Sequence, residues 1–344
     1  MAGSEIIREH APRQNRIVEE IKVSDDVSAG RALPSERAAQ AIAEFDRDPT
    51  LAMLMKNARI LIKNGESRLA FNILRDVLLR APDHPEALGE MATCLRDDGR
   101  FEEALKCYRA LAKITPSLEA DVAIAETLYL SERDDMALAA YREILKLVVA
   151  DRSVLFEIYK NVGNIHVRAG EFDAAEEFYD KAYTIQPDSD ILLVNYGTLE
   201  IQRENHESAV ERFRAAVAIN SNNDKAWVGL ALVHRAMGDL ELAKANLARA
   251  LDISSNNRTA IRLSVEWSVQ DGDAASAIRR LEKYVSEAGS EDVDLCFVFS
   301  KLLIQVGRLS EARIELERVL ALDPTVEGGI ALARVLDKAR SVPA

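Results

Sequence analysis

Three groups of hydrogen-bond donors carry the binding chemistry this sequence can offer. Lys160, Asn161, Asn164 and Arg168 form the first, Asn195 and Thr198 the second, and Lys225 and Arg235 the third. Ammonium and guanidinium groups only donate, and each amide adds an NH2. Such a set suits a carboxylate, or the carbonyls of an extended peptide backbone, held by charge-assisted bonds. It does not suit covalent catalysis, and no catalytic residue is expected. There is no Gly-rich phosphate loop, no Gly-x-Ser-x-Gly elbow and no cysteine cluster. His10, His84, His166, His206 and His234 have no metal-ligand spacing, so no metal and no cofactor is expected. His166 and His234 fall at packing positions and read as edges of the core. Carboxylate pairs such as Glu176-Glu177 and Asp97-Asp98 read as solvated surface. Asn257-Arg-Thr259 fits a glycosylation sequon, which reads as inert without a secretory signal.

The donors lie on the first helices of helical pairs. Phe156 to Arg168 reads as one helix, Gly170 breaks it, and Phe172 to Ile185 reads as a second, closed by Gln186-Pro187. The pattern recurs along the chain; Gly65 and Gly99, for example, are 34 residues apart. A period in this range marks a helical repeat array. Eight units are counted over roughly residues 51–325. In the third, Glu132-Arg133-Asp134 replaces the glycine turn, but Ala137 and Tyr141 keep the core positions. The seventh is degenerate and keeps Gly272, Ala277 and Leu281. Small residues (Ala104, Ala175, Ala209, Ala243) open the second helices and let two helices approach. Bulky residues four positions later (Tyr108, Tyr179, Phe213, Leu247) fill the space against the next pair.

The expected organisation is therefore all-α. Residues 1–34 read as a mostly disordered tail and 35–50 as an N-terminal helix closed by Asp48-Pro49. Residues 51–326 form the array, and 327–344 a capping helix and tail. The chain has 344 residues, is 48% apolar and carries a net charge of −13. That balance argues against nucleic acid as the main ligand, because phosphates need cationic neutralisation. No run approaches the ~20 apolar residues of a membrane span. The N-terminus lacks an apolar signal core; Cys94 and Cys107 read as small core residues, and all three cysteines, Cys296 included, as reduced thiols. A cytoplasmic protein is the expectation.

These landmarks resemble the tetratricopeptide repeat (TPR) family. The resemblance rests on Tyr159 or Trp227 early in the first helix and on the pairs Val162-Gly163, Tyr196-Gly197 and Leu230-Ala231. The small residue of the second helix, the bulky residue four later and the closing proline also match. It implies a right-handed α-solenoid whose first helices line a concave groove, usually used for peptides or proteins. In such arrays the second, fifth, sixth, ninth, twelfth and thirteenth residues of the first helix face the groove, which is where the eight donors fall. Lys160, Asn164, Asn195 and Lys225 resemble a two-carboxylate clamp for a peptide C-terminus, although the family's further basic residue falls on Gly229. Asn161 and Asn195 alternatively resemble rungs of an asparagine ladder that bonds an extended backbone, broken by Lys56, Glu90, Ala123 and Gly229. The third alternative is that these side chains simply face water. The functional expectation is a non-catalytic scaffold or adaptor with a protein or peptide partner. The other expectation is a regulatory or targeting subunit of an enzyme or secretion complex whose catalysis lies in another chain. Self-association stays open, since the third and seventh units or the tail helix could expose apolar surface.

Overall fold

A computed structural model describes residues 48–147, 149–288 and 292–340. The tail and most of the helix expected over 35–50 lie outside the described residues. Within them the chain is helical throughout, with 17 helices and no strand. It divides into two units between Glu171 and Phe172. The first contains α1 (Pro49–Lys63), α2 (Ser67–Arg80), α3 (Pro85–Asp97), α4 (Phe101–Ile114), α5 (Leu118–Leu130), α6 (Asp134–Leu145) and α7 (Arg152–Arg168). The second contains α8 (Phe172–Ile185), α9 (Asp190–Gln202), α10 (His206–Ile219), α11 (Asp224–Ala236), α12 (Leu240–Ile253), α13 (Arg258–Gln270), α14 (Ala274–Ala288), α15 (Val293–Gln305), α16 (Leu309–Leu322) and α17 (Gly329–Arg340). In each unit the helices stack as hairpins, the arrangement of an α-solenoid.

The spacing of small and bulky residues sets that stacking. Ala104 and Tyr108, Ala137 and Tyr141, Ala209 and Phe213, and Ala243 and Leu247 are all buried. Fully burying one such bulky side chain contributes about 1.5–3 kcal/mol, and the alanine beneath it brings the two helices close enough for the contact. The first unit's core runs from Leu51 through Met91 and Tyr108 to Ile114. A core of the second unit runs from Val228 through Trp267 and Phe299 to Leu336 on α17. Cys94, Cys107 and Cys296 are buried thiols outside any disulfide among the described residues, and burial pushes them up to about 11, 12 and 11.

Polar caps fix where each first helix begins. Asp48, His84, Ser117, Asp151, Ser189, Asn223, Asn257 and Asp292 each accept a backbone N–H from the first turn. Each cap satisfies a donor the helix leaves over, worth about 1 kcal/mol. Asp48-Pro49, read from sequence as the close of a preceding helix, here opens α1: the Asp48 side chain accepts from Thr50 and Leu51, and Pro49 needs no N–H at that position. In the second unit the caps also tie neighbouring repeats together. Asn223 Nδ2 donates to Asp190 at 2.9 Å, and Asn257 Nδ2 donates to Asp224 at 2.8 Å.

Gly99 ends α3 with a left-handed φ of 75°. Where the sequence lacks that glycine, the backbone takes the same turn under strain: Glu132 has φ 57° and Glu204 φ 62°. A side chain in this region costs about 1–2 kcal/mol, partly offset in glycine by its greater unfolded freedom. Glu132→Gly and Glu204→Gly are each expected to raise stability by about 0.5–1 kcal/mol. Urea denaturation of the single variants checks this; midpoints at or below the parent's would contradict it.

Candidate binding cleft on the first helices

The first unit holds a cleft of about 590 Å³. It is built on α3, whose second, fifth, sixth, ninth and twelfth residues (Glu86, Gly89, Glu90, Thr93 and Arg96) all line it. Tyr108 and Leu111 of α4 and Ala120 and Ala123 of α5 supply its apolar side, and Arg59 of α1 and Glu119 of α5 its rims. The helical period makes this one face, because those positions of α3 recur every three or four residues. Gly89 keeps the cleft open. A Cβ there would meet only Leu111 Cδ2, at 3.6 Å, an ordinary contact.

Its polar groups are unevenly satisfied. Arg59 pairs with Glu86 across α1 and α3. Arg96 Nη1 reaches Glu126 Oε2 at 3.4 Å. Burial raises the Glu126 carboxyl above the ordinary range, and Arg96 pulls it back in part. Thr93 Oγ1 and the Tyr108 hydroxyl share a hydrogen bond of 3.1 Å, and burial raises the phenol. Glu90 and Glu119 have no cationic partner among the described residues. The cleft thus combines an apolar wall, a hydroxyl pair and two carboxylates left to a ligand or to water.

Of the eight donors singled out in the sequence, four belong to each unit. Those of α7 are already engaged by their neighbours. Lys160 pairs with Glu157 and lies over the Phe156 ring. Asn161 is buried, and its amide donates to the Tyr141 hydroxyl at 3.1 Å. Asn164 Nδ2 donates to Tyr129 at 2.8 Å. Arg168 binds both oxygens of Asp134 and covers the Tyr129 ring. A ligand reaching Asn161, Asn164 or Arg168 displaces bonds that pin α7 to α5 and α6, and one reaching Lys160 displaces contacts within α7. In the second unit, Thr198 Oγ1 donates to its own helix at Val194 O, 3.0 Å away. Asn195 is half-buried and Lys225 exposed. Arg235 Nη2 donates to Gln270 at 2.7 Å, and its guanidinium sits 4.7 Å from the Trp267 ring centre.

Gly229 has its own explanation. It is buried, and a Cβ built there runs into the Phe213 ring, as one does at Gly197 at 2.7 Å. The position that carries a basic residue in the clamp is here given to packing. The α3–α5 cleft is the feature that reading the fourth to sixth repeats missed. Applying the same face positions to the second repeat finds it, with the small residue Gly89 as the signal.

Among the described residues no group of three His, Cys, Asp or Glu could hold a metal ion, and no helix is long and apolar enough to cross a membrane. Tetratricopeptide repeat models match residues 61–127, 156–189 and 224–257. The human protein O-mannosyl-transferase TMTC3 is 20% identical over 289 residues, covering 79% of this chain and 32% of the relative. A DnaJ homolog subfamily C member 7 homolog of Schizosaccharomyces pombe is 24% identical over 233 residues, covering 67% of this chain and 44% of the relative. The chain thus spans less than half the length of these curated relatives. Among solved structures, the human IFIT1 dimer with PPP-AAAA is similar with a TM-score of 0.55 at 16% identity, over 80% of this chain and 70% of that one. The type IV pilus biogenesis factor PilW is similar with a TM-score of 0.53 at 15% identity, over 63% of this chain and 99% of that one. With matched repeats in both units and helical hairpins stacked in each, the chain is a tetratricopeptide repeat protein.

Proposed function

We propose that this chain is a non-catalytic scaffold that holds protein or peptide segments on the first-helix faces of its repeats. The observation that carries the reading is the α3–α5 cleft: about 590 Å³, open, and lined by five face positions of α3, Glu86, Gly89, Glu90, Thr93 and Arg96. Its size accommodates a few residues of an extended segment. Apolar side chains gain by covering Leu111, Ala120 and Ala123. A lysine or arginine gains by pairing with Glu90 and Glu119, which lack a cation of their own. Charge-assisted bonds of this kind contribute about 1.5–3 kcal/mol each when shielded, and ordering costs take back much of it, so micromolar affinity is the scale. In the second unit, Asn195, Thr198, Lys225 and Arg235 are the proposed polar contacts.

The test is selection from a displayed peptide library, followed by equilibrium binding of the winners. Basic peptides are expected, with affinity falling at least about tenfold in Glu90→Lys/Glu119→Lys through loss of attraction and added repulsion. Winners without basic residues, or affinity unchanged in that variant, overturn the cleft assignment.

A second reading has its own support. The matched region covers about a third of TMTC3, an O-mannosyl-transferase by name. In that reading the array is the regulatory or targeting part of an enzyme or secretion complex, with catalysis in another chain. Activity appearing only when the chains are mixed distinguishes it.

A further inference from the structure

The second unit's first-helix face has the opposite chemistry from the cleft. At the same face positions it carries Lys225 and Arg235 on α11, Arg262 on α13 and Lys301 on α15. Only Glu266 and Asp294 oppose them there. This is a cationic face on a chain whose net charge is −13. None of the four cations has a carboxylate partner among the described residues. Arg235 is bonded to the neutral Gln270 and stacked on Trp267, and its buried Nη1 makes no hydrogen bond among the described residues. Lys301 Nζ sits 3.9 Å from the Phe297 ring centre.

Exposed aliphatic side chains occupy other face positions of these helices and of α9. Ile191 of α9 is 55% exposed, Leu232 of α11 36%, Val269 of α13 44% and Val298 of α15 37%. These four give a ligand drawn to the cations apolar surface to cover on the same face. Cations stacked on aromatic rings and sharing a face with aliphatics are matched by a polypeptide that alternates carboxylates with apolar side chains. Nucleic acid would use the cations through its phosphates and leave the aliphatics uncovered.

We propose that this face binds an acidic segment of a partner protein that carries aliphatic or aromatic side chains between its carboxylates. The segment is internal to its chain: the cations are distributed over three helices and do not need a terminal carboxylate. This deepens the scaffold reading and rests on it, but on residues separate from the α3–α5 cleft.

The experiment is fluorescence anisotropy on the full chain at physiological salt. The probe is a short synthetic peptide of Glu and Asp interspersed with Leu and Phe, amidated at its C-terminus. Its controls replace Leu and Phe with Ser, or the acids with Lys, and a fourth probe is an adenine-rich RNA of equal length. The acidic apolar peptide is expected to bind. Its affinity is expected to fall at least about tenfold in Arg262→Glu/Lys301→Glu, and by less in Arg262→Gln/Lys301→Gln, which removes charge without reversing it. The Ser, Lys and RNA probes are expected to bind at least about tenfold more weakly. No binding by the acidic peptide, equal binding by the Ser peptide or RNA, or affinity unchanged in both variants overturns the proposal. All four substitutions are at exposed positions, and circular dichroism checks that the variants remain folded. Basic peptides selected on the cleft separate the two readings. If they still bind while the acidic peptide does not, this inference fails and the scaffold reading stands.

Discussion

Phe213→Ala is expected to remove about 3–5 kcal/mol from the second unit, the largest loss of any single truncation considered. The ring of Phe213 lies between two glycines, Gly197 on α9 and Gly229 on α11. Its neighbours include buried Leu230 and Val233 and half-buried Val194. Removing it therefore opens a cavity at the junction of three helices. The converse change acts through the same contact. Gly229→Ala puts a methyl group where the ring already is, and forcing a methylene into a packed core costs about 1–3 kcal/mol. This sign runs against helix propensity, where alanine is favoured over glycine by about 1 kcal/mol, so a loss of stability is diagnostic. Phe213→Leu lacks the ring atoms that collide, so combined with Gly229→Ala it should cost less than the two single changes together. Both tryptophans, Trp227 and Trp267, belong to the second unit, so tryptophan fluorescence, excited selectively over tyrosine, reports on that unit during urea unfolding. Gly229→Ala at or above the parent's stability would show that the ring does not occupy that space.

Gly89→Leu is expected to abolish binding at the cleft while leaving the fold at least as stable. Most substitutions that block a site also damage it, but this one should separate the two effects. The backbone of α3 is ordinary at Gly89, and the added Cβ meets Leu111 at a normal distance. Replacing a mid-helix glycine by leucine gains roughly 0.5–1 kcal/mol of helix propensity. The isobutyl group then occupies the middle of the cleft, against Leu111 and Ala120, where a ligand would lie. An affinity loss of at least about tenfold for cleft-selected peptides, with an unchanged or raised melting temperature, is the expected pair of results. Lower stability would make the binding loss uninformative, and Gly89→Ala then serves as the milder version.

Much of the fold can be read from local chemistry. The alanine-to-bulky spacing, the helix caps and the glycine turns each act within one or two helices, so sequence alone carries them. Even the weak third repeat is legible from Ala137 and Tyr141, because burial needs the side chains and not the glycine. What the sequence does not show is which polar groups are already engaged. Asn161 and Arg168 look like groove donors by position. Whether they are available depends on Tyr141 and Asp134, 20 and 34 residues away. The reason for Gly229 was hidden in the same way, since it lies in the ring of Phe213 on another helix. The cleft went unseen because the face positions were read in the fourth to sixth repeats, and the space beside Gly89 exists only once α4 and α5 pack against α3.

Site-specific photocrosslinking tests the central claim most directly. A photoreactive side chain is placed at Thr93, inside the cleft, or at exposed Lys106 on the far helix of the same hairpin, and each protein is irradiated with a cleft-selected basic peptide. The account predicts peptide adducts from position 93 that Gly89→Leu suppresses, and none from position 106. Equal labelling at both positions, or labelling at 93 that survives Gly89→Leu, would contradict it.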